Sequence, residues 1–467
     1  MASNNTTETA NKKWENIKKL CHVKRIEMID LKTQDINGRL HHITLPVEDF
    51  TEEVMSEGIP FNTSSFGFNT QGDYDLVQVP DLDTVFFDTF RQKPTLSFFV
   101  DLYTAGKPRK RAAQDSRYVA QKVSEYIRNE GFGEKAMLAS EVEFYIFKDV
   151  KYDARRSSSY YYLESGEKLH SGAYHAVNPM DMYDDFRDKA TCMMKDFGIR
   201  TRYHHHEVGK KGQQQIEFQF EPLLVTADHI VTVKYLLFNM ADIDNIKLTF
   251  MPKPMFNSAG SGWHVHSYLV KNGKNAFFDA KGQENLSNEA RWYIGGILKH
   301  MRSLCALTNP STNSYKRLVP GYDAPVAISY GKNSTLNAVR VQSSIENSEL
   351  TRVELRTPDM TTNPYLALSA LVLAGLDGIK NKIEPKDVSG DAINDIQSLS
   401  KLGRKVELLP RYLDDALDAL EKDSAYLMKG DVFSKELLEY WVKSKREEIS
   451  SIATRPHPFE FKLYFSF

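Results

Sequence analysis

Apolar and polar positions alternate in several segments of the chain, and this pattern predicts β-strands. The clearest cases are VKRIEMIDLKT near the start, SFFVDLYT near residue 100, and SEVEFYIF over residues 140–147. Further candidate strands are IRTRYHHHEV, QQIEFQF and SGWHVHSYLV. Helical spacing predicts helices from Asp115, over residues 179–197 and 289–307, and in NPYLALSALVLAGLDGIKNKI.

The segment GKPRKRAAQDS interrupts these patterns with glycine, proline and a run of charge, and it predicts a domain boundary. We therefore expect a disordered tail over residues 1–12, a small β-rich domain over 13–112 and a larger α+β domain over 113–467.

Composition narrows the class of protein. The chain of 467 residues is 41% hydrophobic and 26% charged, with a formal net charge of −2. That balance predicts neither a nucleic-acid nor a membrane partner, and no apolar run is long enough to predict a membrane span. Three widely spaced cysteines predict reduced thiols and a cytoplasmic location.

Acids and histidines recur on the predicted strands. Glu141 and Glu143 stand two apart in SEVEF, so a strand would place both carboxylates on one face. The others are Glu207, His264 with His266, and Glu354. A lone strand glutamate is usually solvated, and the HHH run at 204–206 could lie on the surface or bind zinc. Carboxylates with an imidazole and no cysteine instead favour Mg²⁺ or Mn²⁺.

Basic residues cluster late in the chain, namely Lys316, Arg317, Arg340, Arg352 and Arg356. Ion pairs on a solvated surface would account for such a cluster. Beside a metal site, however, guanidinium groups favour binding of phosphate and carboxylate. Together with the glycine-rich KPMFNSAGSGWH, they indicate ATP-dependent phosphoryl transfer, although the Walker and dinucleotide-binding motifs are absent from the sequence.

Three segments in order give the chain a resemblance to the glutamine synthetase family, type I, from about residue 20 to the end. KPMFNSAGSGWHVH resembles the family's ATP-region signature, NPSTNSYKRLVPGYDAP its flap, and VELRTPDMTTNPYLAL its last metal and arginine segment. The resemblance implies an N-terminal β-grasp domain and a catalytic domain with a curved antiparallel sheet and helices. It also implies a dodecamer of two stacked hexamers with active sites between subunits, and phosphorylation of the glutamate γ-carboxylate by ATP before an amine displaces the phosphate.

The resemblance also assigns roles to residues of this chain. Two or three Mg²⁺ or Mn²⁺ ions would bind, one at Glu141, His264 and Glu354 and another at Glu143, Glu207 and the position of Gln215. Gly260, Arg317 and Arg356 resemble the residues that bind glutamate and the phosphoryl group. Arg340 and Arg352 resemble the arginines on the nucleotide side.

Four positions depart from the family pattern. Gln215 replaces a charged metal ligand, with Glu217 on the same strand face as a possible substitute, and Asp323 replaces the flap glutamate that acts as a base. Asn62 replaces an aspartate that reaches the ammonium site from the neighbouring subunit, and Thr335 aligns with an arginine on the phosphoryl group.

Because an uncharged Asn62 neither attracts nor deprotonates ammonium, these departures favour a γ-glutamyl-amine ligase. Such relatives include γ-glutamylanilide synthase, and the expected substrate is an apolar or aromatic amine. Trp263 and the tyrosines at 160–162 are candidates for the amine pocket, with core packing as their other role. Ordinary glutamine synthetase, and a non-catalytic structural or regulatory relative, remain as alternatives.

Overall fold

The computed structural model describes residues 2–64, 66, 75–106, 108–167, 169, 172–332, 334–342, 348, 351–385 and 406–466. The chain divides into two compact units, Met1–Val119 and Ala120–Phe467. The sequence predicts the change of domain at residues 112–113, a little before this division. The segment NPSTNSYKRLVPGYDAP lies within the described residues.

A sheet with the strand order β2–β1–β6–β4–β3 forms the first unit, and β5 pairs with β6. Strands β1 and β6 run parallel, while their other pairings are antiparallel. Its elements are α1 (Ala2–Lys24), β1 (Met28–Gln34), β2 (Leu40–Pro46), α2 (Glu52–Glu57), β3 (Ile59–Asn62), β4 (Asp75–Pro80), β5 (Phe86–Phe87) and β6 (Thr95–Thr104). Ile29, Leu31, Leu96 and Phe98 are buried, so these alternating strands have an apolar inner face.

The amino-terminal segment corrects one prediction. Residues 1–12 are predicted to be a disordered tail, whereas α1 extends from Ala2. Trp14 and Ile17 are buried, and the Trp14 ring meets Phe50 edge-on with centroids 5.4 Å apart. Residues three apart share a helix face, so this contact anchors the helix, and propagation from an anchored turn costs little.

Helix α3 (Ser116–Asn129) leads from the first unit into the second. The strands that follow are β7 (Lys135–Phe147), β8 (Asp149–Ala154), β9 (Ser159–Glu164), β10 (Thr201–His206), β11 (Gln213–Phe218), β12 (Glu221–Pro222), β13 (Lys247–Thr249), β14 (Trp263–Lys271), β15 (Lys274–Asn275), β16 (Ala327–Gly331), β17 (Asn337–Gln342) and β18 (Arg352–Leu355). The helices are α4 (Asp184–Asp196), α5 (Leu223–Ile243), α6 (Asn288–Thr308), α7 (Ser314–Arg317), α8 (Pro364–Asn381), α9 (Leu413–Lys422), α10 (Lys435–Ala453) and α11 (Pro458–Tyr464).

The main sheet of the second unit has the order β10–β11–β7–β14–β18–β17–β16. Its pairs are antiparallel except for β16 with β17. Helices α6 and α8 cross closely, because a Cβ on Gly296 would lie 2.2 Å from the carbonyl oxygen of Ala374. The strongly apolar segment NPYLAL begins α8 with Asn363 as its N-cap and Pro364 in the first turn.

One helix bears on the prediction that no apolar run is long enough to span a membrane. By length and composition α5 is apolar enough to cross a membrane, with a mean hydropathy of 1.2 in its 18-residue window. However, 61% of that window is buried inside the protein, as in a core helix. The three cysteines Cys21, Cys192 and Cys305 are all free thiols.

Replacing His300 by glutamine is expected to lower the free energy of unfolding by about 2 kcal/mol at pH 6. Buried His300 on α6 bonds Asp377 at 2.9 Å and Asp423 at 2.8 Å. Burial alone would lower the pKa of His300, but these carboxylates raise it. The contribution is therefore complete below the unfolded pKa of about 6.5 and is lost as pH rises through the folded value. Denaturation at pH 6 and pH 9 measures it, and an equal difference at both pH values would contradict this account.

Candidate active site

Strand β7 places two carboxylates at the centre of the main sheet, between β11 and β14. Glu141 lies opposite His264 on β14, and Glu143 lies opposite Gln215 on β11. The Glu143 carboxylate accepts hydrogen bonds from the backbone N–H of Gly262 at 2.7 Å and from Gln213 at 3.2 Å. The alternation in SEVEF thus brings both acids into one polar cluster on an otherwise buried strand.

One group of candidate metal ligands combines Glu141, His264 and Glu354, whose ligand atoms all lie within 4.8 Å of one another. His264 Nδ1 is 3.0 Å from Glu141 Oε2 and 3.6 Å from Glu354 Oε1. Burial raises the pKa of a carboxyl, but hydrogen bonds from His264 and His266 outweigh it and hold the pKa of Glu141 well below its usual range. The structure thus brings together the three residues predicted for the nucleotide-side metal, and their oxygen and nitrogen donors suit Mg²⁺ or Mn²⁺.

Glu143 and Glu207 form the carboxylate part of a second candidate set. Burial, and then the charge of Glu143, raise the pKa of Glu207. A cation between the two groups would remove this repulsion, and carboxylate oxygens are the ligands that Mg²⁺ prefers. Gln215 lies on the neighbouring strand β11, opposite Glu143. Its amide oxygen could serve as an uncharged third ligand beside the two carboxylates. The donor chemistry of this set therefore fits a divalent ion.

The sequence suggests Glu217 as a substitute ligand beside Gln215, but the structure places it in a different group of candidate ligands. The register places Glu217 opposite Glu141, and its ligand atom clusters with those of Glu141 and His266 within 4.8 Å. One carboxylate oxygen binds Arg202 at 2.6 Å, and among the described residues the other is buried without a hydrogen-bond partner. The position of Glu217 therefore does not support a substitute role at Gln215, because a step of two residues moves it from Glu143 to Glu141.

Two of the four arginines predicted for the site directly contact the acids and histidines of β14 and β18, which with those of β7 we call the acid and histidine cluster. Arg356 Nη1 donates to Glu354 at 3.1 Å, and Arg352 Nε donates to His266 Nδ1 at 3.3 Å. Arg340 approaches Glu354 less closely, at 3.9 Å. The carboxylate of Glu354 is thus surrounded by cations, and these cations would also attract the phosphates of a nucleotide.

Arg317 is held differently, by main-chain oxygens. Its buried guanidinium donates to the carbonyls of Thr357 at 2.7 Å and Arg356 at 3.1 Å. A Cβ on Gly262 would lie 2.2 Å from Arg317 Nη2, so the glycine of SGWH is required for this close approach. These bonds fix Arg317 beside the strand that carries His264.

A cavity of about 370 Å³ opens beside these groups. Its walls are Val208, Gly209, Lys210 and Lys211, the loop of Met255, Phe256, Asn257, Ser258 and Ala259, and the flap residues Gly321, Tyr322 and Asp323. We call this space the flap cavity. Gln213 joins its wall to the metal cluster, since its amide accepts from Gly209 N–H and donates to Glu143 and to the carbonyl of Gly260.

The sequence analysis misses Tyr174 and His175, which lie in one aromatic cluster with His205. The Tyr174 ring stacks on His175 at 4.1 Å between centroids and meets His205 edge-on at 5.3 Å. Burial, and then the charges of Glu207, Glu141 and Asp323, raise the pKa of Tyr174. His205 belongs to the visible HHH run, but Tyr174 lies in an irregular segment with no periodic pattern that could have indicated it.

Residues 113–464 match the family model of the glutamine synthetase catalytic domain, and residues 25–105 match that of the glutamine synthetase beta-Grasp domain. The chain belongs to the glutamine synthetase family. The predicted fold, a β-grasp domain followed by the catalytic domain, is confirmed. As a member of this family the chain is a glutamine synthetase-like ATP-dependent ligase, and the family uses divalent metal ions.

Similar proteins cover almost the whole chain. The glutamine synthetase of Frankia alni is 38% identical over 475 residues, covering 97% of this chain and 99% of the relative. The glutamine synthetase of Mycobacterium bovis is 39% identical over 477 residues, covering 97% and 98%. The cryo-EM structure of Plasmodium falciparum glutamine synthetase has a TM-score of 0.86 at 25% identity, covering 94% of this chain and 96% of its own. A ligand-free GmaS structure has a TM-score of 0.81 at 24% identity, covering 96% and 99%, and shows a shared fold alone.

The other positions that the sequence singles out have the following environments. Trp263 is 0% exposed, because alternation along β14 turns it away from the face of His264, and it does not line the flap cavity. The tyrosines at 160–162 are exposed on the β8–β9 hairpin. Thr335 is exposed in the turn before β17. Asn62 belongs to the first unit, where its exposed side chain accepts a hydrogen bond from Ser64 N–H at 2.9 Å.

Proposed function

We propose that this chain is an ATP-dependent ligase that joins the γ-carboxylate of glutamate to an organic amine through a γ-glutamyl phosphate. The flap cavity carries the proposal, since its volume of about 370 Å³ is in the range of small-molecule pockets and leaves room for a ligand larger than ammonia. Glutamate and the body of an amine would share this space, with Asp323 at its wall.

The residues take the following roles in the proposal. Glu141, His264 and Glu354 would hold one metal ion, and Glu143, Glu207 and Gln215 another. Bound there, the ions would offset charge on the phosphates of ATP and on the transferring group. Arg340 and Arg352 bind the nucleotide, while Gly260, Arg317 and Arg356 position glutamate and stabilise the developing charge on the phosphoryl oxygens.

Amine attack needs a base. Asp323 lines the flap cavity and its charge acts on Glu207, and both observations support a role for Asp323 in receiving the amine. We propose that Asp323 takes the proton from the amine as the new C–N bond forms and phosphate leaves. An arylamine is neutral at physiological pH and needs no anionic capture, unlike ammonium, and this agrees with a neutral Asn62 in the position of an acid.

The assembly is part of the proposal. Members of the family form oligomers, and we propose a cytoplasmic dodecamer of two hexamers in which Asn62 reaches the site of a neighbouring subunit. Sedimentation analysis of the purified protein measures the oligomeric state, and a stable active monomer would contradict this arrangement.

Release of phosphate from ATP with Mg²⁺ and glutamate tests the reaction across methylamine, ethanolamine, putrescine, aniline and ammonia. We expect at least one organic amine to give a higher kcat/KM than ammonia. Turnover with ammonia alone would instead establish ordinary glutamine synthetase activity, the alternative that the curated relatives favour because they are named glutamine synthetase at 38–39% identity. A lack of glutamate-dependent phosphate release with every amine would indicate a non-catalytic relative.

Replacing Asn62 by aspartate is expected to lower the KM for ammonia about tenfold, which corresponds to about 1.4 kcal/mol of binding. The added carboxylate attracts ammonium, and it keeps the acceptor oxygen that Ser64 N–H uses, so the turn is preserved. Steady-state rates over a range of ammonium concentrations measure the change. Asn62→Ala serves as the uncharged control, and equal KM values in the two variants would contradict the role of charge at this position.

A further inference from the structure

The charges on the wall of the flap cavity are unevenly distributed. Lys210 and Lys211 lie in the turn between β10 and β11, and both are exposed at the cavity. Among the described residues that line the cavity, Asp323 on the flap is the one acidic side chain. The lining therefore carries both cationic side chains and the proposed base, so an occupant of the cavity meets charges of both signs.

Aromatic side chains line the same cavity. Phe256 is 88% exposed, although it lines the cavity, and Tyr322 lines the flap next to Asp323. Lys253 Nζ lies 3.6 Å from the centroid of the Tyr322 ring and also contacts the carbonyl of Ser258. These contacts hold the flap ring against the 255–259 loop, so Tyr322 and Phe256 offer apolar surface for a flat or aliphatic body.

We infer that the amine substrate carries an anionic group, a carboxylate or a chemical equivalent, that Lys210 and Lys211 bind while its amino group faces Asp323. This inference rests on the proposed function and deepens it, because it names the class of amine. A dication such as putrescine would place a positive charge against the two lysines, whereas an aminocarboxylate such as 4-aminobenzoate presents complementary charge at both ends.

Glutamate itself is the competing anion, since it also carries a carboxylate outside the reacting centre. Arg317 and Arg356 already lie next to the acid and histidine cluster, deep in the site, and the proposal assigns glutamate to them. The lysines lie on the turn that follows Glu207 and at the cavity wall. Separate measurement of KM for glutamate and for the amine distinguishes the two occupants.

The test uses the full-length protein with ATP, Mg²⁺ and glutamate at low ionic strength, where charge effects are least screened. Three aromatic amines differ at one position, namely 4-aminobenzoate, its methyl ester, and aniline. We expect KM for 4-aminobenzoate to be at least about tenfold below that for the ester, which has a similar shape without the charge. Equal KM values for the acid and the ester would overturn the inference while leaving the proposed function intact.

Lys211→Glu is expected to raise KM for 4-aminobenzoate at least tenfold, with KM for the ester and for glutamate unchanged. Lys274→Glu makes the same charge change on the exposed β15, outside the cavity, and is expected to change none of them. A rise in KM for glutamate alone would assign the lysines to glutamate and overturn the inference, as would equal effects of the two variants.

Inhibition provides a measurement that does not depend on an organic amine being consumed. Benzoate is expected to inhibit more strongly than benzamide with whichever amine supports turnover, ammonia included, and Lys211→Glu is expected to remove the difference. If ammonia alone is a substrate, the proposed function fails, while preferential benzoate inhibition would still place an anion site at the lysines. Equal inhibition by both compounds would overturn that site.

Discussion

Replacing Glu141 by glutamine is expected to reduce glutamate-dependent phosphate release by about 10³-fold. Glu141 belongs to two of the three groups of candidate ligands found among the described residues, one with His264 and Glu354 and the other with Glu217 and His266. Glutamine keeps the shape of the side chain but removes the negative charge that both histidines and a metal ion would share. The rate at saturating ATP and glutamate, measured over a range of Mg²⁺ concentrations, tests this expectation.

Glu217→Gln is the matched control, since it makes the same substitution on the neighbouring strand, opposite Glu141. Glu217 belongs to one of the two groups, and its carboxylate is already bound to Arg202. We therefore expect a loss of no more than about tenfold, equivalent to about 1.4 kcal/mol in the barrier. Equal losses in the two variants, or near wild-type rates in Glu141→Gln, would show that Glu141 is not the shared ligand.

Short-range patterns in the sequence predicted the parts of the site that depend on local geometry. Alternation in SEVEF places Glu141 and Glu143 together because a strand repeats every two residues, whatever its neighbours are. The same rule separates His264 from Trp263, so the burial of Trp263 away from the site was available from the sequence. The sequence also displays Glu354 and the arginines, but no local pattern connects them to β7, and only the family resemblance assigned them to the same site.

Strand register could not be predicted from local patterns. Gln215 and Glu217 stand on the same face of β11, so alternation alone gives them equal access to the acids of β7. The observed pairing sets Gln215 against Glu143 and Glu217 against Glu141, and this choice depends on how the whole strand is packed. Tyr174 is a similar case, since an irregular segment brings it near Glu207 through tertiary contacts rather than through any repeat.

The flap adds a conformational constraint that the sequence does not display. Asp323 has a φ of 57°, in the left-handed region where aspartate and asparagine are tolerated better than longer side chains. The family's flap glutamate would be less favourable in this backbone conformation. The shorter acid is thus matched to the local backbone, which favours reading Asp323 as a retained base rather than as a lost one.

Replacing Asp323 by asparagine is expected to reduce the amine-dependent rate by about 10²–10⁴-fold, the usual contribution of a general base. Asparagine has nearly the same size and accepts the same left-handed conformation, so the flap should keep its position while losing the group that accepts the proton. The first step, transfer of phosphate from ATP to glutamate, needs no base and should continue.

Phosphate release with and without the amine separates these steps. Slow release without amine, through hydrolysis of the acyl phosphate, is expected to stay within about threefold of wild type, since the barrier for that step changes by less than 1 kcal/mol. The amine-dependent increase should disappear. With an arylamine, which is neutral throughout the range, raising the pH should not restore this increase because asparagine does not titrate, whereas a residual base elsewhere would recover activity at high pH. An unchanged amine-dependent rate would remove Asp323 from the chemistry and leave it a role in closing the cavity alone.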